Sequence, residues 1–209
     1  MVHLPYGIDA SVFTPAEGMK AGGEELTIGY LGRLVPEKGV DLLVRACATL
    51  PANVRLRIAG RGPMRDALGS LAVQAGIGER VRITDAVPYA DVPAFLRGLD
   101  ILALPSRPST IWMEQFGRVL IEAMACGVPV IVSHTSSLPE VVGQAGLMID
   151  PYQPDELYRA LREILRDPVL LASLIREGKT QASGFSWSTT ADRTCSLFSS
   201  LAKGKPKTV

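Results

Sequence analysis

Cysteine and histidine are scarce in this sequence, three of one and two of the other among 209 residues. Cys47, Cys126 and Cys195 are odd in number, far apart and set in apolar helical patterns. They supply neither a disulfide framework nor a metal cluster, so the metal expectation is none. Charge of one sign is also missing. Lys and Arg total 22 against 21 Asp and Glu, a net charge of +1, which leaves no field to recruit nucleic acid or an acidic membrane. No apolar run approaches the roughly 20 residues that span a bilayer, and no charged-then-apolar leader opens the chain. These absences predict a reduced, cytoplasmic protein without an integral membrane segment, whose ligand binding comes from local sites.

Reaction motifs are missing as well. No H-E-x-x-H, G-x-S-x-G or paired C-x-x-C occurs, and no Asp-x-Asp metal motif, so zinc hydrolysis and α/β-hydrolase chemistry have no support. Gly178-Lys179-Thr180 looks like the end of a Walker A loop, but Ser173 stands where its first glycine belongs and the segment reads as helix. It is not a P-loop.

What is present is an ordinary globular composition, 47% hydrophobic and 21% charged, in a chain long enough for one domain burying about 70% of its unfolded surface. Short β-rich runs alternate with helical patterns. Strands are expected at Leu26–Leu31, Arg55–Ala59, Arg80–Thr84, Ile101–Leu104, Val128–Val132 and Leu147–Ile149. Helices are expected at Val40–Thr49, Met64–Gln74, Val92–Arg97, Gly117–Ala125 and Leu138–Val142. After Asp150 only helices follow, at Pro154–Arg166, Val169–Ser183 and Thr189–Ala202. Such alternation predicts an α/β, Rossmann-like, doubly wound parallel sheet of about six strands with a helical C-terminal segment. Residues 1–25 are expected to wrap onto that domain, which runs from 26 to 202, and residues 203–209 to form a disordered tail.

In such sheets ligands bind beyond the carboxyl ends of the strands. After the first strand, Gly32-Arg33 and Lys38 place two cations before a helix; they can pair with a pyrophosphate or be a solvated basic loop. Gly60-Arg61-Gly62 begins a dinucleotide fingerprint but has Arg65 where the third glycine belongs, so Gly60 reads as a packing glycine beside a nucleotide. The Thr84-to-Pro88 loop, including Val87, offers backbone groups to a base or is a plain connection. Trp112 either walls the site or packs, and His134 reads as structural or solvated.

The most informative segment is Glu114-Gln115-Phe116-Gly117-Arg118-Val119, continuing to Glu122 with seven residues between the two carboxylates. Phe116, Leu120 and Ala123/Met124 recur at helical spacing, which puts Gly117 at the mouth of a helix and its N–H groups toward an anion. Two acidic acceptors beside a bound phosphate suit sugar hydroxyls. The competing reading is an amphipathic helix with Glu122 solvated and Glu114 in a loop.

With Pro5-Tyr6-Gly7-Ile8-Asp9, Gly32-Arg33-Leu34, Glu37-Lys38-Gly39, Gly60-Arg61-Gly62-Pro63, Asp100, Pro105-Ser106, Pro139-Glu140 and Phe185-Ser186-Trp187 in order, the chain resembles the retaining GT-B-type glycosyltransferases, the group that includes sucrose synthase, bacterial glycogen synthase and the phosphatidylinositol mannosyltransferases. The resemblance covers essentially the whole chain and implies a C-terminal, donor-binding domain without the N-terminal acceptor domain. It implies transfer of a hexose from a UDP- or GDP-sugar to an acceptor hydroxyl with retention, without a cofactor or metal, the isolated chain being largely inactive. Catalytic roles would fall to Arg33, Lys38 and Glu114. Donor contacts would come from Gly32, Arg33, Lys38, Gly60, the backbone around Val87, Glu114, Gln115, Phe116, Gly117, Arg118, Val119 and Glu122. Partners would be the missing domain or a partner chain, with self-association through the apolar face of the last helix, Leu197, Phe198 and Leu201. A non-catalytic nucleotide-binding module, or half of a split enzyme, is the alternative; a GT-B-like epimerase fits the motif less well. Two departures from the family pattern are Asp85, where glycine is common, and His134-Thr135-Ser136-Ser137 in place of a glycine-containing loop.

Overall fold

The computed structural model describes residues 6–16 and 25–202. Six strands, β1 Leu26–Leu31, β2 Val54–Ala59, β3 Val81–Thr84, β4 Ile101–Leu104, β5 Val130–Ser133 and β6 Gly146–Ile149, form one sheet in the order β3-β2-β1-β4-β5-β6. Every strand pair is parallel. This is the doubly wound Rossmann order, in which the chain winds outward one way from β1 and then reverses through β4. The reversal opens a crevice between the carboxyl ends of β1 and β4.

Helices cover both faces: α1 Val40–Ala48, α2 Arg65–Gln74, α3 Val92–Arg97, α4 Arg118–Ala125 and α5 Leu138–Val142, followed by α6 Pro154–Arg166, α7 Pro168–Ser183 and α8 Trp187–Ala202. β4 and β5 are buried along their whole length, as strands covered on both faces must be, while the edge strand β3 keeps partial exposure. In α6 the buried Leu157, Ala160, Leu161 and Ile164 recur at three- and four-residue spacing, one apolar stripe facing inward. Asp167 caps α7 by accepting from the backbone N–H groups of Val169 and Leu170. Gly178 lies inside α7 against Met124 of α4, so Gly178-Lys179-Thr180 is helix packing.

Four strands start elsewhere than the pattern predicts, β6 among them at Gly146 rather than Leu147. Arg80 ends a 3-10 turn rather than opening β3, because its guanidinium donates to the carbonyls of Cys47, Leu50 and Pro51 and satisfies the C-terminal end of α1. Val128 and Pro129 precede β5; Pro129 has no N–H to give the ladder, although its carbonyl accepts from Leu102. β2 begins one residue earlier, at Val54. Cys47 and Cys126 are buried in helical packing as expected, whereas Cys195 is exposed on α8.

Of the N-terminal segment, Ile8 and Phe13 are buried, and Ile8 forms a parallel bridge with Ser186, its N–H donating to Phe185. Residues 1–5 and 17–24 and the tail 203–209 lie outside the described residues. Among those described, no helix is long and apolar enough to cross a membrane.

Candidate functional site

Two loops meet in the crevice. The first follows β1 and carries Arg33 and Lys38; the second follows β4 and carries Ser106, Trp112 and Glu114. Lys38 and Glu114, 76 residues apart in sequence, form an ion pair through Nζ and Oε2, with both side chains 12% exposed. The fully buried Ser106 hydroxyl adds a contact at 3.3 Å to the same carboxylate oxygen. Lys38 Nζ also lies 5.0 Å from the centroid of the Trp112 ring, a cation–π contact. Trp112 is half-buried and therefore forms part of the wall around the ammonium.

Beneath the pair sits Tyr30, fully buried, donating its hydroxyl to the Arg33 carbonyl at 2.7 Å. Burial, and then the nearby Glu114 charge, push its phenol well above the ordinary range; the group stays a neutral donor and pins the loop that exposes the Arg33 side chain. Gly60 packs on the same turn, with a would-be Cβ only 1.8 Å from the Gly32 carbonyl oxygen.

Gly117 forms the N-cap of α4 at φ 71°, left-handed. A Cβ there would come within 2.8 Å of Leu138 and 2.9 Å of Leu120, so the turn belongs to glycine on both conformational and steric grounds. Neither a side-chain cap nor an acidic first-turn residue fills the helix entrance. The first N–H groups of α4 and the positive end of its dipole are thereby available to an anion. Phe116 anchors the approach in a ring cluster, 5.3 Å from Tyr6 and 5.9 Å from Phe185 between centroids.

One turn into α4, Glu122 is only 3% exposed, which overturns the reading of a solvated helix face. Arg118 Nε lies 3.1 Å from Oε1, yet off the donor direction, and Oε1 has no hydrogen-bond partner. Burial raises the Glu122 carboxyl above the usual range, with Arg118 working against the shift. Arg118 in turn stacks over Tyr89, 5.2 Å from its ring. A buried carboxylate oxygen without a donor is costly in the fold alone and suits a ligand hydroxyl.

The fold thus brings Gly32, Arg33, Lys38 and Glu114 to one crevice, with Gly117 and Arg118 opening α4 and Glu122 inside it. Gln115 is exposed, Val119 and Val87 are half-buried, and His134 is exposed at the end of β5. Asp85 is held by Arg65 at 3.2 Å and more loosely by Arg61 at 3.9 Å. Tyr30 and Tyr89 were not singled out by the sequence, and Ser137, noted there only as part of a departure from the family pattern, donates its hydroxyl to the Glu114 carbonyl at 3.1 Å. Tyr30 reads there as an ordinary core aromatic, and nothing local marks it. A groove away from the switch point, of about 630 Å³ and lined by Arg65, Asp66, Gly69, Ser70 and Val73, brings together no comparable buried polar set.

Chemically, the crevice offers two cations and a helix N-terminus for phosphate charge, and two carboxylates for hydroxyl groups.

Comparison with known proteins bears on the family and the fold. The chain is 33% identical over 212 residues to a GDP-mannose-dependent α-(1-6)-phosphatidylinositol monomannoside mannosyltransferase of Mycolicibacterium smegmatis, covering 94% of this chain and 56% of that protein. It is 36% identical over 211 residues to a D-inositol 3-phosphate glycosyltransferase of Mycobacteroides abscessus, covering 94% and 45%. Among solved structures it is similar to a sucrose-phosphate synthase from Thermosynechococcus elongatus, with TM-score 0.83 and 26% identity over 97% of this chain and 53% of the other. The C-terminal domain of a group 1 glycosyl transferase from Francisella tularensis shares the fold at TM-score 0.72 and 22% identity, with 85% of this chain matched to 97% of that one. The chain therefore spans about half the length of the curated relatives it matches. Residues 17–181 match the model of the family described as glycosyl transferases group 1, and with that match, the switch-point crevice and these relatives together, the chain belongs to the group 1 glycosyl transferases.

Proposed function

We propose that this chain is the donor-binding half of a GT-B-type glycosyltransferase that transfers a hexose from a UDP- or GDP-sugar to an acceptor hydroxyl with retained configuration. The observation that carries the reading is the meeting of Lys38 and Glu114 at the topological switch point, beside the open N-terminus of α4. Arg33, Lys38 and the α4 dipole take the diphosphate; Glu122 takes the ribose hydroxyls and Glu114 the transferred sugar. Gly32, Gly60, Gln115, Phe116 and Val119 shape the backbone around them, and the chain near Val87 meets the base.

Charge grows on the leaving nucleoside diphosphate as the glycosidic bond stretches. Cations and oriented N–H groups that meet this charge in a closed site contribute roughly 3 kcal/mol each, more to the transition state than to the bound donor. The reading calls on no metal ion or cofactor. The relatives' names fit either base: one curated relative is GDP-mannose-dependent, and a HepE structure from Anabaena, similar at TM-score 0.81, holds UDP-glucose.

Calorimetry with UDP- and GDP-sugars tests the site, and Arg33→Ala and Glu122→Ala should each weaken binding. Failure to bind any of these nucleotides, or indifference to both substitutions, sinks the assignment. Sugar transfer should require a separately supplied acceptor domain. A second reading, half of a split enzyme or a docking module, is favoured by α8, which buries no residue and exposes Phe198 and Leu201 by 64% and 60%.

A further inference from the structure

We propose that Arg107 is a positioning residue: it latches the loop after β4 to the loop after β1 and so holds Lys38 against Glu114. Its effect on ligands rests on the reading of the crevice as a nucleotide-sugar site.

Arg107 grips the segment on either side of Lys38. Its backbone N–H donates to the Glu37 carbonyl at 2.7 Å. Its Nη2 donates to Asp41 Oδ1 at 2.5 Å and reaches the Pro36 carbonyl at 3.3 Å. Pro36 and Glu37 precede Lys38, and Asp41 lies in the first turn of α1. The two loops also interlock through backbone, since a Cβ on Gly39 would lie 2.0 Å from the Pro105 carbonyl oxygen.

Downstream of Arg107 the loop is tied in turn. The Tyr152 hydroxyl donates to the Pro108 carbonyl at 2.7 Å. Ser109 N–H donates to the Trp112 carbonyl at 2.8 Å, and Trp112 N–H donates back to the Ser109 hydroxyl at 3.2 Å. That pinched turn sets Trp112 over Lys38 and delivers Glu114 to it.

A lysine ammonium on a four-carbon stem has no preferred placement of its own, so its position depends on both backbones being held. The Arg107 and Asp41 side chains are 29% and 22% exposed, partly shielded from the water that weakens surface pairs. One guanidinium nitrogen serves both acceptors from the end of a long, rigid fork, a reach and orientation that the shorter, freely rotating lysine ammonium does not share.

Trp112 reports on the latch without any ligand. The chain holds two tryptophans, so in a Trp187→Phe background emission comes from Trp112 alone. Arg107→Lys, which keeps the charge, and Asp41→Asn, which keeps the shape, should red-shift that emission and speed acrylamide quenching. Calorimetry with GDP and UDP should show affinity falling roughly five- to tenfold in each variant. That loss should vanish when either change is made on a Lys38→Ala chain, since the effect runs through Lys38. A lowered thermal midpoint with an unmoved Trp112 signal overturns the latch and leaves the pair merely structural. An undiminished loss in the Lys38→Ala background overturns the route through Lys38. Failure of the unsubstituted chain to bind either nucleotide overturns the donor reading instead, while the ligand-free Trp112 signal still decides the latch.

Discussion

Glu122→Gln preserves the shape of a side chain that is 3% exposed and removes its charge. In the native state that carboxyl is raised by burial, Arg118 offsetting part of the shift. The Arg118 side chain is itself 55% exposed, so solvent screens its contribution, and Oε1 is left without a hydrogen-bond donor. With the native pKa above the unfolded one, the folded chain binds the extra proton more readily. Stability from this group is then fully present below the unfolded value, about 4.3 for glutamate, and is lost as pH rises through the raised native value. At pH 7, above the unfolded value, the raised native pKa weighs against the fold. Glutamine removes that cost and should stabilise by about 1 kcal/mol, or about 2–4 °C in a domain of this size. At pH 4 and below the advantage should shrink toward zero, because glutamate is then protonated in both states. Affinity moves the other way: losing a hydrogen bond to a charged acceptor, about 1.5–3 kcal/mol, weakens UDP or GDP binding roughly 10- to 100-fold. Thermal melts at pH 4 and 7.5 with calorimetry on both nucleotides read all three quantities. A variant that melts lower at pH 7.5, or binds nucleotide as before, refutes the account of Glu122 as a ligand group held at the fold's expense.

Two further outcomes follow from the geometry. Gly39→Ala drives a Cβ to 2.0 Å from the Pro105 carbonyl oxygen at φ 64°, whereas Gly76→Ala, at φ 73°, meets nothing within 4 Å. Gly76→Ala should therefore cost only the left-handed penalty of about 1–2 kcal/mol, and Gly39→Ala clearly more, measured by urea midpoints; equal costs would falsify the interlock of the two loops. On α8, Phe198→Ser with Leu201→Ser removes two exposed apolar side chains. Sedimentation should show self-association weakened at least tenfold, on the scale of about 1.5–3 kcal/mol per large apolar group, with nucleotide affinity unchanged. Sedimentation identical to the unsubstituted chain removes that face from any self-association.

The alternation of strands and helices was legible in the sequence because it is written locally: period-2 and period-3.6 apolar patterns, with glycine and proline at the stops. A parallel sheet with right-handed crossovers follows from that alternation, and the carboxyl end of every strand was a place to look; that β1 and β4 share the crevice came from the order of the sheet. Gly117 as the helix mouth and Glu122 in its second turn were equally local, since spacing along one helix sets both. Boundaries slipped where tertiary partners intervened. Arg80 left β3 to satisfy the carbonyls at the end of α1.

The sequence by itself thus determined the elements, their class and the residue types available at the strand ends. Only the tertiary structure decided which of those residues meet. Lys38 and Glu114 are 76 residues apart and Arg107 and Asp41 are 66 apart, and no local pattern encodes a pairing across such a separation. The burial of Glu122, which puts a carboxylate expected on a helix face out of reach of solvent, depends likewise on what packs around α4. Tyr30 became a support for the site only when the chain turned back over its hydroxyl at Arg33. Periodicity places a side chain on a face; which charge it finds there depends on the packing of the whole sheet.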